Sequence, residues 1–244
     1  MLYLDGMLET ISKTLLSLVF PLHCQLCGEL LPSEKTGGVC LSCERSVPLI
    51  LPPHCPRCGR TVPFENENCG HCSDERFAFD RAFACVLYDA PAKELLHRFK
   101  FGRKRYLLPF FSERMIRFAS RYLTPETWDW VLPVPMHPKT KFERGFNQSE
   151  LLSSALAGHF GRPHSSRILS CRLSERPQAA LKKNDRKTNV RGLFFVKKPG
   201  EPRAKNVLLV DDILTTGQTA SACAKALKGA GARTVTVLAF ARGA

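Results

Sequence analysis

A chain of 244 residues, 44% hydrophobic and 24% charged, has the composition of an ordinary globular protein able to bury one good core and carry one small satellite module. None of its apolar runs approaches the roughly 18 residues a membrane span needs. The formal charge of +14 is concentrated in residues 93–121 (nine Lys/Arg, two Glu) and 162–205 (thirteen Lys/Arg, three acidic), which excludes an acidic tail and points to a polyphosphate, a nucleic acid, or both.

Taken in chain order, the first predicted element is a helix within residues 1–22, where "LETISKTLLSLVF" has helical apolar spacing interrupted by Ser12, Lys13, Thr14 and Ser17. A secretory leader would show a basic start and a small-residue cleavage site, and neither is present. The stretch reads as a docking helix, and the chain as cytoplasmic.

Residues 23–79 form the second unit. Eight of the 11 cysteines stand in four Cys-x-x-Cys pairs: Cys24/Cys27, Cys40/Cys43, Cys55/Cys58 and Cys69/Cys72. Two such turns supply the four thiolates of a tetrahedral zinc site, so four pairs predict two structural Zn²⁺ sites. A disulfide framework needs an oxidising compartment, and a redox pair would stand alone. "HCQLCG" at 23–28 recurs as "HCPRCG" at 54–59, each followed by a second pair. The repeat favours tandem sites, Cys24/Cys27/Cys40/Cys43 and Cys55/Cys58/Cys69/Cys72, and leaves a cross-braced pairing open. His23, His54 and His71 adjoin ligands but are read as non-ligating. Gly28 and Gly59 suit the tight turn after each knuckle.

From residue 80 to 244 the pattern becomes α/β. "RAFACVLYD", "WDWVLPVP", "NVLLVDD" and "RTVTVLAFA" read as strands. "APAKELLHRFKFG", "LLPFFSERMIRFASRYL", "NQSELLSSALAGHF" (capped by Asn147 or Ser149) and "GQTASACAKALKGAG" read as helices. Their alternation predicts a mainly parallel, Rossmann-like sheet flanked by helices. Residues 174–192 are basic and weakly patterned, the mark of a functional loop.

Within "NVLLVDDILTTGQTA", Asp211 and Asp212 fall at the carboxyl end of a predicted strand, where ligands of open α/β sheets bind. Thr215, Thr216, Gly217, Gln218 and Thr219 form the turn into the next helix, whose free N–H groups favour an anion. A plain helix cap needs one such residue, not three threonines and two aspartates. Carboxylates beside an anion turn make sense when the ligand carries vicinal hydroxyls next to its phosphate.

This stretch resembles the phosphoribosyl pyrophosphate (PRPP) motif of type I phosphoribosyltransferases. The resemblance implies that Asp211 and Asp212 contact ribose hydroxyls and that Thr215 to Thr219 hold the 5-phosphate. With "HCQLCG…CLSC…HCPRCG…CGHC", "LPVPMHPK" and "RGFNQSELL", the chain from about Pro21 onward resembles the ComF family, zinc-ribbon phosphoribosyltransferase-like proteins associated with competence and natural transformation. The resemblance implies a pyrophosphate loop at Val134, Pro135, Met136 and His137, with Arg144 as a basic residue near it. It also implies a mobile catalytic loop carrying Gln178, Lys182, Arg186 and Asn189. Glu175 departs from the Thr that relatives often carry there. Expected ligands and partners are PRPP with Mg²⁺, single-stranded DNA, and competence helicase or recombination proteins. Two functions stay open at this point. One is displacement of pyrophosphate at C1 of PRPP, in which Asp211, Asp212, Arg144, Lys182 and Arg186 would act. The other is a non-catalytic single-stranded nucleic-acid binder, with Phe101 and Tyr106 offered for stacking and Phe99 read as core.

Overall fold

The computed structural model describes residues 22–32, 37–64, 69, 70, 72, 76–102, 104–172 and 192–243. The helix expected within residues 1–22 and the loop residues Gln178, Lys182, Arg186 and Asn189 lie outside them. After a short helix α1 (Leu41–Ser46), the chain forms β1 (Arg81–Leu87), α2 (Ala90–Phe101), α3 (Leu108–Tyr122), β2 (Trp130–Pro133), α4 (Pro138–Arg144) and α5 (Gln148–Phe160). It continues through β3 (Leu169–Cys171), β4 (Phe194–Val196), β5 (Asn206–Leu214), α6 (Gln218–Gly229) and β6 (Thr234–Arg242).

Four strands make one sheet in the order β1-β6-β5-β2, every pairing parallel, while β3 and β4 form a separate antiparallel hairpin. β5 is apolar on both faces, as a strand covered from both sides must be. Leu208 and Val210 join a core that includes Leu95, Phe99, Phe111 and Leu152 from α2, α3 and α5. Val207 and Leu209 join a second core with Cys223 and Leu227 of α6 and Leu169 of the hairpin.

The zinc-ribbon segment divides between these two cores. Cys24, Leu31, Val39 and Val47 pack into the first, whereas Cys55, Cys58 and Val62 pack into the second. The chain joining them runs along the outer edge of β1, where Ile50 N donates to Cys85 O (3.0 Å) and Leu87 N to Pro48 O (3.0 Å). That edge, which would otherwise present unpaired N–H and C=O groups, is thereby capped.

All four predicted strands and the four helices after residue 80 are present. Three features were not predicted: α4, the β3–β4 hairpin on either side of residues 173–191, and the pairing along β1. Asn147, one of the two offered caps, is the one used: its Oδ1 accepts from Ser149 N at 3.0 Å.

Candidate functional site

The two cysteine sets form by local turns. In each, the four thiol sulfurs lie within 4.8 Å of one another: Cys24, Cys27, Cys40 and Cys43, then Cys55, Cys58, Cys69 and Cys72. The grouping is tandem, not cross-braced. Gly28 (φ +79°) and Gly59 (φ +71°) both take the left-handed conformation that closes the knuckle. The donor sets fit zinc. Leu26 N and Cys40 N donate to Cys24 Sγ (3.5 and 3.4 Å), and Cys43 N donates to Cys40 Sγ (3.5 Å). Burial would raise the Cys24 thiol, yet the amides of Cys40, Cys27 and Leu26 hold it at about 6; Cys55 is held at about 6 in the same way by Cys69, Cys58 and Arg57. Within each tetrad this low thiol stands beside others pushed up, Cys43 and Cys72 chiefly by burial, so one thiolate per site is ready first and a bound metal would deprotonate the rest. His23 Nδ1 lies 3.0 Å from Gly28 O, and His54 sits against the Phe118 and Tyr122 rings, so neither belongs to a tetrad.

The second site lies at the carboxyl ends of the strands. Asp211 Oδ1 accepts from Ser149 Oγ (3.0 Å) and from Asp212 N (2.8 Å). Asp212, buried, pairs through Oδ2 with Lys100 Nζ at 2.7 Å. Burial and the adjacent Asp212 charge push Asp211 up to about 7, against the pull of the Asp212 amide, Lys100 and Ser149. Behind the pair, Thr215, Thr216 and Thr219 are exposed and Gly217 is buried at the N-cap of α6 with φ +78°. The Phe77 ring, carried by the chain leaving the second ribbon, closes on Gly217; a Cβ there would meet it at 3.0 Å. Ala78 N donates to Ser221 Oγ of α6 (3.0 Å), so the ribbon segment braces the turn.

Val134, Pro135, Met136 and His137 lead from β2 into α4. Val134 is buried and its carbonyl accepts from Asn147 Nδ2 at 3.1 Å. His137 Nδ1 accepts from Lys139 N (3.1 Å), which places any ring N–H on Nε2. Arg144, at the end of α4, donates from Nη1 to Gln148 Oε1 (2.7 Å) and lies over the Phe101 ring, 4.8 Å from its centroid. Burial lowers the Arg144 pKa while the Asp212 charge raises it. These elements converge on the Asp211–Asp212 strand end: α2 through Lys100, α4 through Arg144 and α5 through Ser149. Lys100 escaped the sequence reading because it sits in a basic run, and its partner is 112 positions away. Of the aromatics offered for stacking, Phe101 is exposed and Phe99 is fully buried, as expected. Tyr106 keeps some exposure, but its ring lies over Gly38.

Residues 15–74 match the family model described as a double zinc ribbon domain, and residues 164–244 match the phosphoribosyl transferase domain. The strand order extends the latter domain's sheet back to Arg81. The chain is 27% identical over 230 residues to a protein of Haemophilus influenzae named competence protein F, covering 91% of this chain and 98% of that one. It is 28% identical to the DNA utilization protein YhgH of Shigella flexneri, over 71% of this chain and 77% of that protein. It is 32% identical to the competence protein ComFC of Bacillus subtilis, over 57% and 55%. Among the described residues, no helix is long and apolar enough to cross a membrane.

Proposed function

We propose a function from the premise that this chain belongs to the ComF family, a double zinc ribbon joined to a phosphoribosyl transferase domain. The protein binds PRPP at the β5–α6 turn and, given an acceptor, displaces pyrophosphate at C1. One observation carries the reading: two carboxylates near the carboxyl end of a central parallel strand, just past the end of the neighbouring β2, are followed after Ile213 and Leu214 by exposed threonines at a helix N-terminus. In this reading Asp211 and Asp212 take the ribose hydroxyls, Thr215 to Thr219 the 5-phosphate, and Val134 to His137 with Arg144 the pyrophosphate. The family resemblance gives Lys182 and Arg186, which lie outside the described residues, the role of neutralising the leaving group's charge. Mg²⁺ would enter as a complex with PRPP and supply charge neutralisation for the leaving group, since Lys100 and Ser149 already engage the nearby carboxylates. The C1–O bond breaks with its electron pair on pyrophosphate, and the acceptor's nucleophile bonds to C1 and gives up its proton. Positioning and charge stabilise the oxocarbenium-like transition state. Zinc at the two tetrads is structural, because four thiolates leave no open position. The zinc-ribbon match and the sheet beginning at Arg81 support a division into units of 23–79 and 80–244.

PRPP with Mg²⁺ should raise the Tm of the zinc-loaded protein, and Asp211→Asn combined with Asp212→Asn should abolish the rise. Absence of any shift at millimolar PRPP defeats the proposal. Turnover to pyrophosphate across a panel of bases, amines and oligonucleotides identifies the acceptor.

The relatives' names, competence protein and DNA utilization protein, support a role in DNA uptake; single-stranded DNA and competence helicase or recombination proteins are the partners we propose for it. A second, non-catalytic reading is favoured by a groove of about 240 Å³ where Arg117 and Arg121 adjoin the half-exposed Tyr122, Arg121 lying 5.5 Å from its ring centroid, beside Leu49 and Leu51 and a Glu44 already paired with Arg114. Guanidinium groups beside aromatic rings suit an unpaired strand. Single-stranded DNA affinity that falls steeply with salt supports this reading.

A further inference from the structure

One cavity beside the Asp211–Asp212 strand end has a lining that no motif describes. It measures about 160 Å³ and is bounded by Lys100 and Phe101 from α2 and by Thr140, Glu143 and Arg144 from α4. Two cations share it. Lys100, in the last turn of α2, is paired with Asp212 and only 17% of its side chain is exposed. Arg144 is fixed by Gln148 and by the face of Phe101. Opposing them are Asp212, already paired, and Glu143, exposed on α4.

Two buried donors stand beside the residues that line it. Gln148 is fully buried, and with its Oε1 given to Arg144, its Nε2 has no partner among the described residues. His137 Nε2, in the turn that opens α4, is likewise buried and unpartnered. Lys100 has three N–H groups and spends one on Asp212. The cavity itself is lined by the Lys100 ammonium and the Arg144 guanidinium against the single Glu143 carboxylate, a net positive space suited to an acceptor-rich anion. A structural ion pair alone would not call for a second cation on the same open space. The anion's place follows from the chain. The cavity lies against the helix that directly continues the Val134–His137 turn, next to the carboxylate assigned to the ribose.

We infer that this cavity holds the diphosphate end of the ligand and that Lys100 is the cation that binds it, with Arg144, held in place by Gln148, as the second cation. The inference rests on the PRPP reading and adds to it a ligand-binding residue from outside every motif. Lys100 also explains how a phosphorylated ligand tolerates Asp212: the ammonium lies between the carboxylate and the phosphate oxygens and bonds to both.

Inorganic pyrophosphate, PRPP with Mg²⁺ and ribose 5-phosphate are to be titrated calorimetrically against the zinc-loaded wild type, Lys100→Met and Lys100→Arg. Lys100→Met should weaken pyrophosphate and PRPP by about tenfold or more, near 1.4 kcal/mol. Ribose 5-phosphate, which lacks the diphosphate, should change by less than about twofold, and Lys100→Arg should recover part of the loss. If PRPP and pyrophosphate bind Lys100→Met as they bind wild type, the inference falls and the PRPP reading stands. If wild type binds pyrophosphate through Lys100 but neither PRPP nor ribose 5-phosphate, the PRPP reading falls and the anion pocket stands. Failure of all three ligands to bind wild type ends both. Should Lys100→Met not fold, acylation of wild-type lysines decides the matter. Pyrophosphate should protect Lys100 severalfold and leave the exposed Lys139 and Lys225 unchanged, and unprotected Lys100 refutes the assignment.

Discussion

At the scale of single residues, the free site is under electrostatic strain, which should be visible in its pH dependence. Asp211 is pushed up to about 7 from an ordinary value of 3.8, chiefly by burial and by Asp212. A carboxyl whose folded pKa lies above its unfolded one binds its proton more tightly when folded. Its stabilising contribution is whole below about 3.8 and is lost as pH rises through about 7. Asp211→Asn keeps the neutral form at every pH. Without ligand the variant's Tm should therefore exceed wild type by a margin that opens between pH 4 and 7 and then levels off. At about 2–4 °C per kcal/mol for a chain of this size, the plateau should reach several degrees. The same variant should lose PRPP protection, so the residue trades stability for ligand. A margin that stays flat with pH would show that Asp211 keeps an ordinary pKa. Arg242 poses the opposite case. It is buried at the end of β6, donates from Nη1 to Cys58 O at 2.8 Å, and feels the Cys58, Cys69 and Cys72 charges. Arg242→Met should release the second zinc to a chelator several times faster than wild type and leave the first unchanged, as read by a metallochromic dye.

At the scale of elements, the two knuckles repeat in sequence but differ in what surrounds them. Gly28 has open space around a hypothetical Cβ, whereas one on Gly59 would run into the Ala82 carbonyl oxygen and approach Phe83 Cα to 2.9 Å. Gly28→Ala should cost only the left-handed strain, about 1 kcal/mol. Gly59→Ala must in addition push β1 away and should cost about 3 kcal/mol. Urea unfolding of the zinc-loaded variants separates the two, and equal costs would mean that the second ribbon does not sit tightly on β1. The repeat itself was legible, as were β5, α6 and both cysteine tetrads, because their signals are local: ligands three apart, apolar runs, an acid pair before a threonine turn. What stayed hidden is non-local or short. α4 has seven residues, starts at Pro138 and buries none of them, so it carries no apolar period. The strands of the β3–β4 hairpin are three residues each. Lys100 looked like one charge in a solvated run until the fold brought it to Asp212, and Gln148 became noticeable only once its buried amide oxygen proved to hold Arg144.

At the scale of the whole molecule, the zinc-ribbon segment is less a satellite than a clamp. Composition alone suggested a small appended module, yet its first ribbon packs into the core on one face of the sheet and its second into the core on the other. Polar contacts repeat the arrangement. Gln25 Oε1 accepts from Arg98 and Lys104 on the first side, while Arg57 O accepts from Ala82 N at 2.9 Å on the second. The linker between them covers the open edge of β1. A ribbon this small folds largely on its metal, with apparent binding energies of about 10–16 kcal/mol for comparable sites. Zinc should therefore support the phosphoribosyl transferase sheet as well as the ribbons. Stripping it with a strong chelator should release two zinc ions per chain and lower the melting transition of the entire protein. Amides of residues 81–87 should lose protection from hydrogen exchange, and the bared edge should drive aggregation. PRPP protection should also decline, because Phe77 and the Ala78–Ser221 contact would no longer brace the turn at Gly217. If chelation removes a separate low-temperature transition and leaves both the main transition and the PRPP shift in place, the ribbons are an independent appendage. Ligand binding would then owe them nothing. The two-sided packing requires the coupled outcome, since neither core of the sheet is complete without its ribbon.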